Sequence, residues 1–291
     1  MPNNILAEIE KRMPGFSKGQ KSIASFILNH YDKAAYMTAQ KLGAAAQVSE
    51  STVVRFAFEL GFDGYPELQL ELKEIIKNKL TSVQRIEVAN EQIGGGDVLA
   101  KVMNLDIEKI RKTIEETSRK AFEGAVEAIL QAKTIYILGA RSALVLARFL
   151  ALYFNIIFEN VKLVDTTSSA EMFEQIMRVG PEDVIIGLSF PRYSKRSAKA
   201  LAFASGAGAK VVAITDSTLS PIVEHADYFL QAKSDMASFV DSLVAPLSLI
   251  NALIVAVGLR RRGEIEQTFE RLEAIYDEYD VYQKADDGDG A

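Results

Sequence analysis

The 291-residue sequence contains no cysteine and only two histidines, His30 and His225. The first absence excludes disulfides, thiolate metal sites and cysteine-dependent catalysis, and it fits a reducing compartment, so a cytoplasmic location is expected. The second leaves few imidazoles for proton transfer, and no cluster with metal-ligand spacing is visible. The opening segment MPNNILAEIEKR places polar and acidic residues where an export signal would carry an apolar run. Long apolar runs are also missing. The longest, Leu243 to Leu259, is interrupted by Pro246, Ser248 and Asn251 and is short for a membrane span. It reads as a buried helix, and no membrane partner is expected. Nor is there an excess of positive charge: the formal net charge is −6. A surface coated for nonspecific nucleic-acid binding is thereby excluded, and any DNA contact must be local.

What is present is an ordinary globular composition, 48% hydrophobic and 25% charged, in a chain longer than one compact domain usually runs. Two domains are expected. Residues 1–80 lack strand-like runs and show apolar residues at helical spacing, as in Ile23, Phe26 and Ile27, then Val53, Phe56 and Leu60. They carry ten Lys or Arg against nine Asp or Glu, so the acidity lies in the C-terminal part. A polar stretch at 81–97, containing Gly94-Gly95-Gly96, reads as the interdomain linker. Beyond it, in 98–283, strand-like runs alternate with helical patterns: Thr134 to Leu138, Val161 to Val164, Val184 to Ser189, Lys210 to Thr215 and Tyr228 to Leu230. Helices are expected to begin near Ser142, Ser168, Ser194 and Leu219, and two more to span Phe239 to Arg262 and Glu264 to Tyr279. Such alternation implies a parallel sheet with crossover helices. The polar tail at 284–291 is expected to be disordered.

The segment TAQKLGAAAQVSESTVVRFAFELGFDGY has the layout of a helix, a tight turn and a second helix. Leu42 and Ala45 are placed to face inward on the first helix, Val48 to cap the turn and Val53 to pack from the second. Ser49 is placed as an N-cap, its hydroxyl available to the amides of Ser51 or Thr52, and Gly61 suits a left-handed stop. The outward face at the start of the second helix carries Ser51, Thr52 and Arg55. Hydroxyls bind phosphates or base edges, and arginine grips guanine with two hydrogen bonds. Each has a structural alternative: a cap for Ser49, and an ion pair with Glu59 one turn along for Arg55. Phe56, Phe58 and Phe62 read as core, and Tyr65 either packs or touches phosphate. VSESTVVRF followed by LGFDGYPELQLEL resembles the N-terminal domain of the RpiR family of bacterial transcription regulators. That resemblance implies operator DNA as a partner, with Ser49, Ser51, Thr52 and Arg55 on the reading surface. Gln47 stands where the family more often has glycine, so a positive φ there would cost about 1–2 kcal/mol.

In the second domain, TIYILGARSALVLARFL runs from strand to helix through Gly139-Ala140-Arg141-Ser142. The junction offers free helix amides, a favourable dipole, a charge and a hydroxyl to an anion. It is not a dinucleotide fingerprint, because the second and third glycines are absent. A second junction, VIIGLSFPRYSKRSAKALAFA, places Ser189 at a strand end, Arg192 in the loop and Ser194 at a helix start. Together with AKVVAITDSTLSPIVEHADYFL and DSLVAPLSLINALIVAV, these segments resemble the SIS, or sugar isomerase, domain. The resemblance implies a five-stranded parallel sheet flanked by helices, with Ser142, Ser189 and Ser194 as phosphate-binding hydroxyls beside Arg141 and Arg192. Many SIS sites have a Ser-x-Ser-Gly-x-Thr loop, and here Pro191 and Arg192 replace the serine and glycine, which makes the loop stiffer and more positive. Helix capping is the alternative role for Ser142 and Ser194, and Asp165 to Ser168 either line the pocket or cap a helix.

The expected architecture is an all-α helix-turn-helix domain joined to an α/β SIS domain, and the expected function is a DNA-binding regulator with a phosphorylated sugar or related anion as effector. The alternatives are a phosphosugar isomerase or lyase with a helical appendage, and a helical protein-interaction module before a sensor. Isomerisation needs a base near the sugar carbon. The candidates are Glu171, Glu174 and His225, each of which also reads as solvated or helix-terminal, so no catalytic residue is assigned. No cofactor and no metal are implied. Operator symmetry usually mirrors protein symmetry, so a homodimer or homotetramer is expected, with the apolar final helices as its interface.

Overall fold

Beyond residue 130 the alternating runs resolve into a parallel sheet wound by helices on both faces. The computed structural model describes residues 5–77, 83–86, 96–235 and 240–282. The expected tail at 284–291 lies outside them, as does most of the expected linker; within that linker, 83–86 form a short helical turn. The five strands are β1 (Ile135–Gly139), β2 (Val161–Val164), β3 (Val184–Leu188), β4 (Lys210–Thr215) and β5 (Tyr228–Gln231), all parallel, in the order β2-β1-β3-β4-β5. Burial of both sheet faces explains why these strands read as continuous apolar runs.

Successive side chains point to opposite faces, which divides the core in two. Ile135, Ile137, Val184, Ile186, Val212 and Ile214 face α8 (Arg119–Gln131), α9 (Ser142–Ile157) and α12 (Val244–Arg260). Tyr136, Leu138, Ile185, Val211 and Ala213 face α10 (Ser169–Ile176) and α11 (Lys195–Gly206). Before them α7 (Val98–Glu116), capped by Asp97, packs on α12; after it α13 (Arg262–Glu278) leaves at 97°. Among the described residues no single helix is long and apolar enough to cross a membrane.

Two expectations need correction. No helix begins at Leu219: residues 217–227 form consecutive turns closed by Ser217–Ser220, Ser220–Val223 and Val223–Ala226 backbone bonds. Pro221 has no N–H to donate and disfavours helical geometry at Ser220, which breaks the pattern. The next helix begins at Val244 and not near Phe239, which lies outside the described residues. Pro246 falls in its first turn, where no amide is needed, so the proline marks the helix start.

The N-terminal region is helical: α1 (Ile5–Arg12), α2 (Lys18–Asn29), α3 (Tyr31–Ala34), α4 (Ala39–Ala45), α5 (Glu50–Glu59) and α6 (Tyr65–Lys77). Its own core gathers Ile9, Ile23, Ile27, Leu42, Val53, Phe56, Leu68 and Leu72. A capping box starts α2, with Ser17 Oγ accepting from Gln20 N and Ser17 N donating to Gln20 Oε1 at 2.8 Å. The helical turn at 83–86 bridges the two cores: Gln84 Nε2 donates to Asp32 Oδ2 at 3.4 Å, and the buried Arg85 donates Nη1 to Asp241 Oδ1 at 2.8 Å.

Candidate DNA-reading and anion-binding sites

The tight turn between α4 and α5 rests on Gly43, where an added Cβ would lie 2.9 Å from the Val48 carbonyl oxygen. Close backbone approach therefore requires glycine there. Gln47 adopts φ 57°, the left-handed conformation that its place in the turn demands. Gly61 adopts φ 94° after α5, as expected of a helix stop. Leu42 is buried, but its inward companion is Ala46 and not Ala45, which is exposed.

Ser49 holds the N-cap position of α5 without a side-chain bond to an amide. Its hydroxyl instead meets Ser51 Oγ at 2.9 Å and Thr52 Oγ1 at 2.8 Å, a cluster of three hydroxyls at the exposed helix start. Arg55 is exposed and turns back to Ser51, Nε to carbonyl at 3.3 Å, so it makes no pair with Glu59. The structure thus places Ser49, Ser51, Thr52 and Arg55 on one outward patch. Phe56 is core and Phe62 packs against it, whereas Phe58 is exposed. Tyr65 packs: its hydroxyl donates to the Met37 carbonyl at 2.8 Å, and burial pushes its phenol pKa up.

The second constellation lies where β1 and β3 are neighbours. The chain leaves β1 to form α9 on one face and leaves β3 to form α11 on the other, so the carboxyl ends of these strands mark the topological switch point, where open α/β sheets bind ligands. Gly139 and Leu188 are register partners at this edge. A Cβ on Gly139 would sit 2.5 Å from the Ala143 carbonyl oxygen, so only glycine permits so abrupt a strand-to-helix turn. Arg141 follows at φ 56°, ψ −122°, and α9 starts with no side-chain cap on its amides. The second loop holds Arg192 at φ 67°. Two arginines in conformations that favour glycine, one in each loop, store about 1–3 kcal/mol apiece. Arg141, Ser142 and Arg192 are exposed, while Ser189 is buried.

Ser194 caps α11, its Oγ accepting from Ser197 N at 3.2 Å, and Ser189 Oγ accepts from Ser194 N at 3.4 Å. Capping uses the oxygen lone pairs and leaves each hydroxyl proton to donate. Lys195 and Arg196 occupy the first turn of α11, where the helix dipole favours negative charge, an arrangement that a bound anion relieves. Residues not foreseen here are Tyr193 and Asp216: the Tyr193 hydroxyl donates to Asp216 Oδ1 at 2.9 Å from the end of β4. The sequence signal was a carboxylate directly after the strand VVAIT.

The isomerase candidates follow β2 or precede β5. Glu171 bonds Thr166 Oγ1 and follows the cap Ser168, Glu174 is exposed on α10, and His225 sits in the turns before β5. Asp165 receives Arg148 Nε at 3.0 Å. Among the described residues no group of three or more acidic or imidazole side chains is arranged to hold a metal ion.

Comparison with known proteins accounts for both halves. Residues 3–79 match the helix-turn-helix domain of the rpiR family, and residues 128–256 match the SIS domain. An uncharacterized HTH-type transcriptional regulator of Haemophilus influenzae is 30% identical over 231 residues, covering 78% of this chain and 79% of the relative. The sugar isomerase domain of an RpiR transcription factor from Sphaerobacter thermophilus superposes with a TM-score of 0.58 at 27% identity, over 60% of this chain and 97% of that one. NanR of Vibrio vulnificus, solved in complex with ManNAc-6P, superposes with a TM-score of 0.60 at 20% identity, over 97% of this chain and 100% of that one. The chain therefore belongs to the RpiR family and is a transcription regulator with a DNA-binding helix-turn-helix region and a C-terminal SIS effector-binding domain.

Proposed function

We propose that the effector is a sugar phosphate or a closely related anion, bound between the loops at 140–142 and 189–194, and that its occupancy changes affinity for operator DNA. The observation that carries this reading is the pair of positive-φ arginines, Arg141 and Arg192, in loops leaving adjacent strands at the switch point. Two helix N-termini and the hydroxyls of Ser142, Ser189 and Ser194 complete the anion site, and the sugar phosphate bound by NanR supports the ligand class. On the DNA side, Ser51, Thr52 and Arg55 read the duplex, with Ser49 ordering them from the cap position.

In this proposal the labour is divided between a DNA-reading domain at 1–80 and a sensor at 98–283, joined by a connection at 81–97; the matches at 3–79 and 128–256 support that division. The chain acts as a sensor and not as an isomerase, because Glu171 is tied to Thr166 and the proposed site is lined by cations and hydroxyls. Self-association as a dimer or tetramer is supported by an exposed apolar stripe on α7, Leu99, Met103, Ile107 and Ile114, and by Val255 and Leu259 on α12. A thermal-shift screen against sugar phosphates tests the effector reading, since a ligand that binds only the folded state raises the midpoint by mass action. No shift with any sugar phosphate at millimolar concentration would overturn it, and enzyme-dependent conversion of one would restore the isomerase reading.

A further inference from the structure

The helical region holds a second concave feature, beside the turn rather than on α5. A groove of about 750 Å³ runs between α2 and the end of α4, lined by Lys18, Lys21, Ser22 and Ser25 on one side and by Gln47 on the other. Lys18, Ser22 and Ser25 recur at helical spacing along one face of α2, while Ile23, Ala24 and Ile27 bury the opposite face. None of the residues lining the groove is acidic. Lys18 and Lys21 are exposed, and among the described residues neither ammonium meets a carboxylate. In a chain of net charge −6, an acid-free groove with two unpaired lysines is a local positive feature of the kind the overall charge demanded.

Its position relates it to the reading patch. A Cβ on Gly19 would lie 3.3 Å from Thr52 Cγ2 and 3.5 Å from Val48 Cγ1, so the first turn of α2 sits directly against the start of α5. The turn of α2 that carries Lys18 and Lys21 therefore lies beside Thr52 at the start of α5. A helix that enters a major groove is flanked by the sugar-phosphate backbones that border it, and those backbones are gripped by cations and hydroxyls that carry no sequence information. Lysine, a compact point charge, suits this role better than base reading. Ser25 Oγ accepts from Asn29 Nδ2 at 3.3 Å and keeps its own proton to donate. Ser22 Oγ, by contrast, is engaged with the Lys18 carbonyl at 3.3 Å.

We infer that this groove seats a DNA backbone strand, with Lys18 and Lys21 each neutralising a phosphate and Ser25 donating to one, while α5 reads the bases alongside. The assignment rests on the DNA-binding role of the helix-turn-helix region and adds to it a site that fixes register and salt dependence.

The test uses the full-length chain and two fluorescein-labelled duplexes: the best binder recovered from a randomised pool with the parent protein, and one of unrelated sequence. Affinities are measured from 50 to 200 mM KCl for the parent, for K18Q/K21Q and for the charge-preserving K18R/K21R. Each lost phosphate contact lowers the slope of log affinity against log salt by about 0.9, so the glutamine variant should lose about 1.8 per DNA-bound helix-turn-helix region. Over that salt range its affinity should fall about 12-fold less than the parent's. The affinity ratio between the two duplexes should stay at the parental value, and the arginine variant should keep the parental slope. An unchanged slope in the glutamine variant, with the parent binding DNA normally, overturns the groove assignment alone. A loss confined to the recovered duplex makes the lysines base readers and also overturns it. Failure of the parent to bind either duplex overturns the DNA-reading role itself and the inference with it.

Discussion

The Tyr193 hydroxyl and the Asp216 carboxylate join across 2.9 Å, tying the loop after β3 to the fully buried end of β4. Phe190 and Pro191 are buried beside that loop, so its apolar start and its polar anchor together hold Arg192 at positive φ. Removing one hydroxyl from Tyr193, as in Tyr193→Phe, keeps the ring and deletes the bond to a buried charge, a loss of about 1.5–3 kcal/mol. Thermal unfolding should register that loss, and effector affinity should weaken as the loop loosens. A parental midpoint would show that the contact contributes nothing to the fold.

At Gln47 the expected change has the opposite sign. Its φ of 57° costs an L-residue energy that glycine avoids. Gln47→Gly should stabilise the chain by about 1 kcal/mol, offset in part by the greater freedom of glycine in the unfolded state. Urea unfolding gives the direct reading, and a lowered midpoint would mean that the glutamine side chain supports the turn through its own contacts.

Arg55 turns its guanidinium to the Ser51 carbonyl in the free protein and must release it to reach a base. Arg55→Ala should weaken operator binding by about 1–3 kcal/mol and relax preference at one base-pair position, with the salt slope little changed. Competition against duplexes mutated one position at a time would reveal this. Equal selectivity in parent and variant would remove Arg55 from the reading surface.

How much of this was legible in the sequence depends on how local the governing physics is. The β-branched runs ending in Gly139 and Ser189, each followed within a few residues by a serine at a helix start, are short-range signals, and they located both strand-to-helix loops. The positive φ of Gln47 likewise follows from the geometry of one turn. The Leu219 helix failed because Pro221 disrupts a pattern whose apolar residues otherwise suit a helix. Tyr193 with Asp216 was invisible because the pair is 23 residues apart and depends on β3 lying beside β4. The lysine groove needed the placement of α2 against the turn, which no window along the chain contains. Phe58 shows the converse: its type suggested core, but its place on α5 faces away from Phe56 and Val53.

Ser194 allows the capping and ligand roles to be separated in one position. Its oxygen accepts the Ser197 amide, and aspartate is as good an N-cap as serine, so Ser194→Asp should preserve the start of α11 and the parental unfolding midpoint. What it changes is charge, placing a carboxylate where a phosphate would sit between Arg192 and the helix amides. Calorimetric titration with the sugar phosphate recovered by thermal shift should show affinity reduced beyond detection, while binding to operator DNA in the absence of effector stays near the parental level. Because coupling between two sites is reciprocal, the parent's effector affinity must also shift when operator DNA is bound, by the same factor that effector shifts DNA affinity, and couplings of about 1–3 kcal/mol are typical. In the aspartate variant both shifts should vanish together. Ser194→Ala sharpens the reading, since it removes the cap and the donated hydroxyl without adding charge: it should cost about 1 kcal/mol of stability and weaken effector binding by one hydrogen bond to a charged group, about 1.5–3 kcal/mol, well short of the loss in the aspartate variant. An aspartate variant that binds the effector as tightly as the parent would place the phosphate site away from this loop.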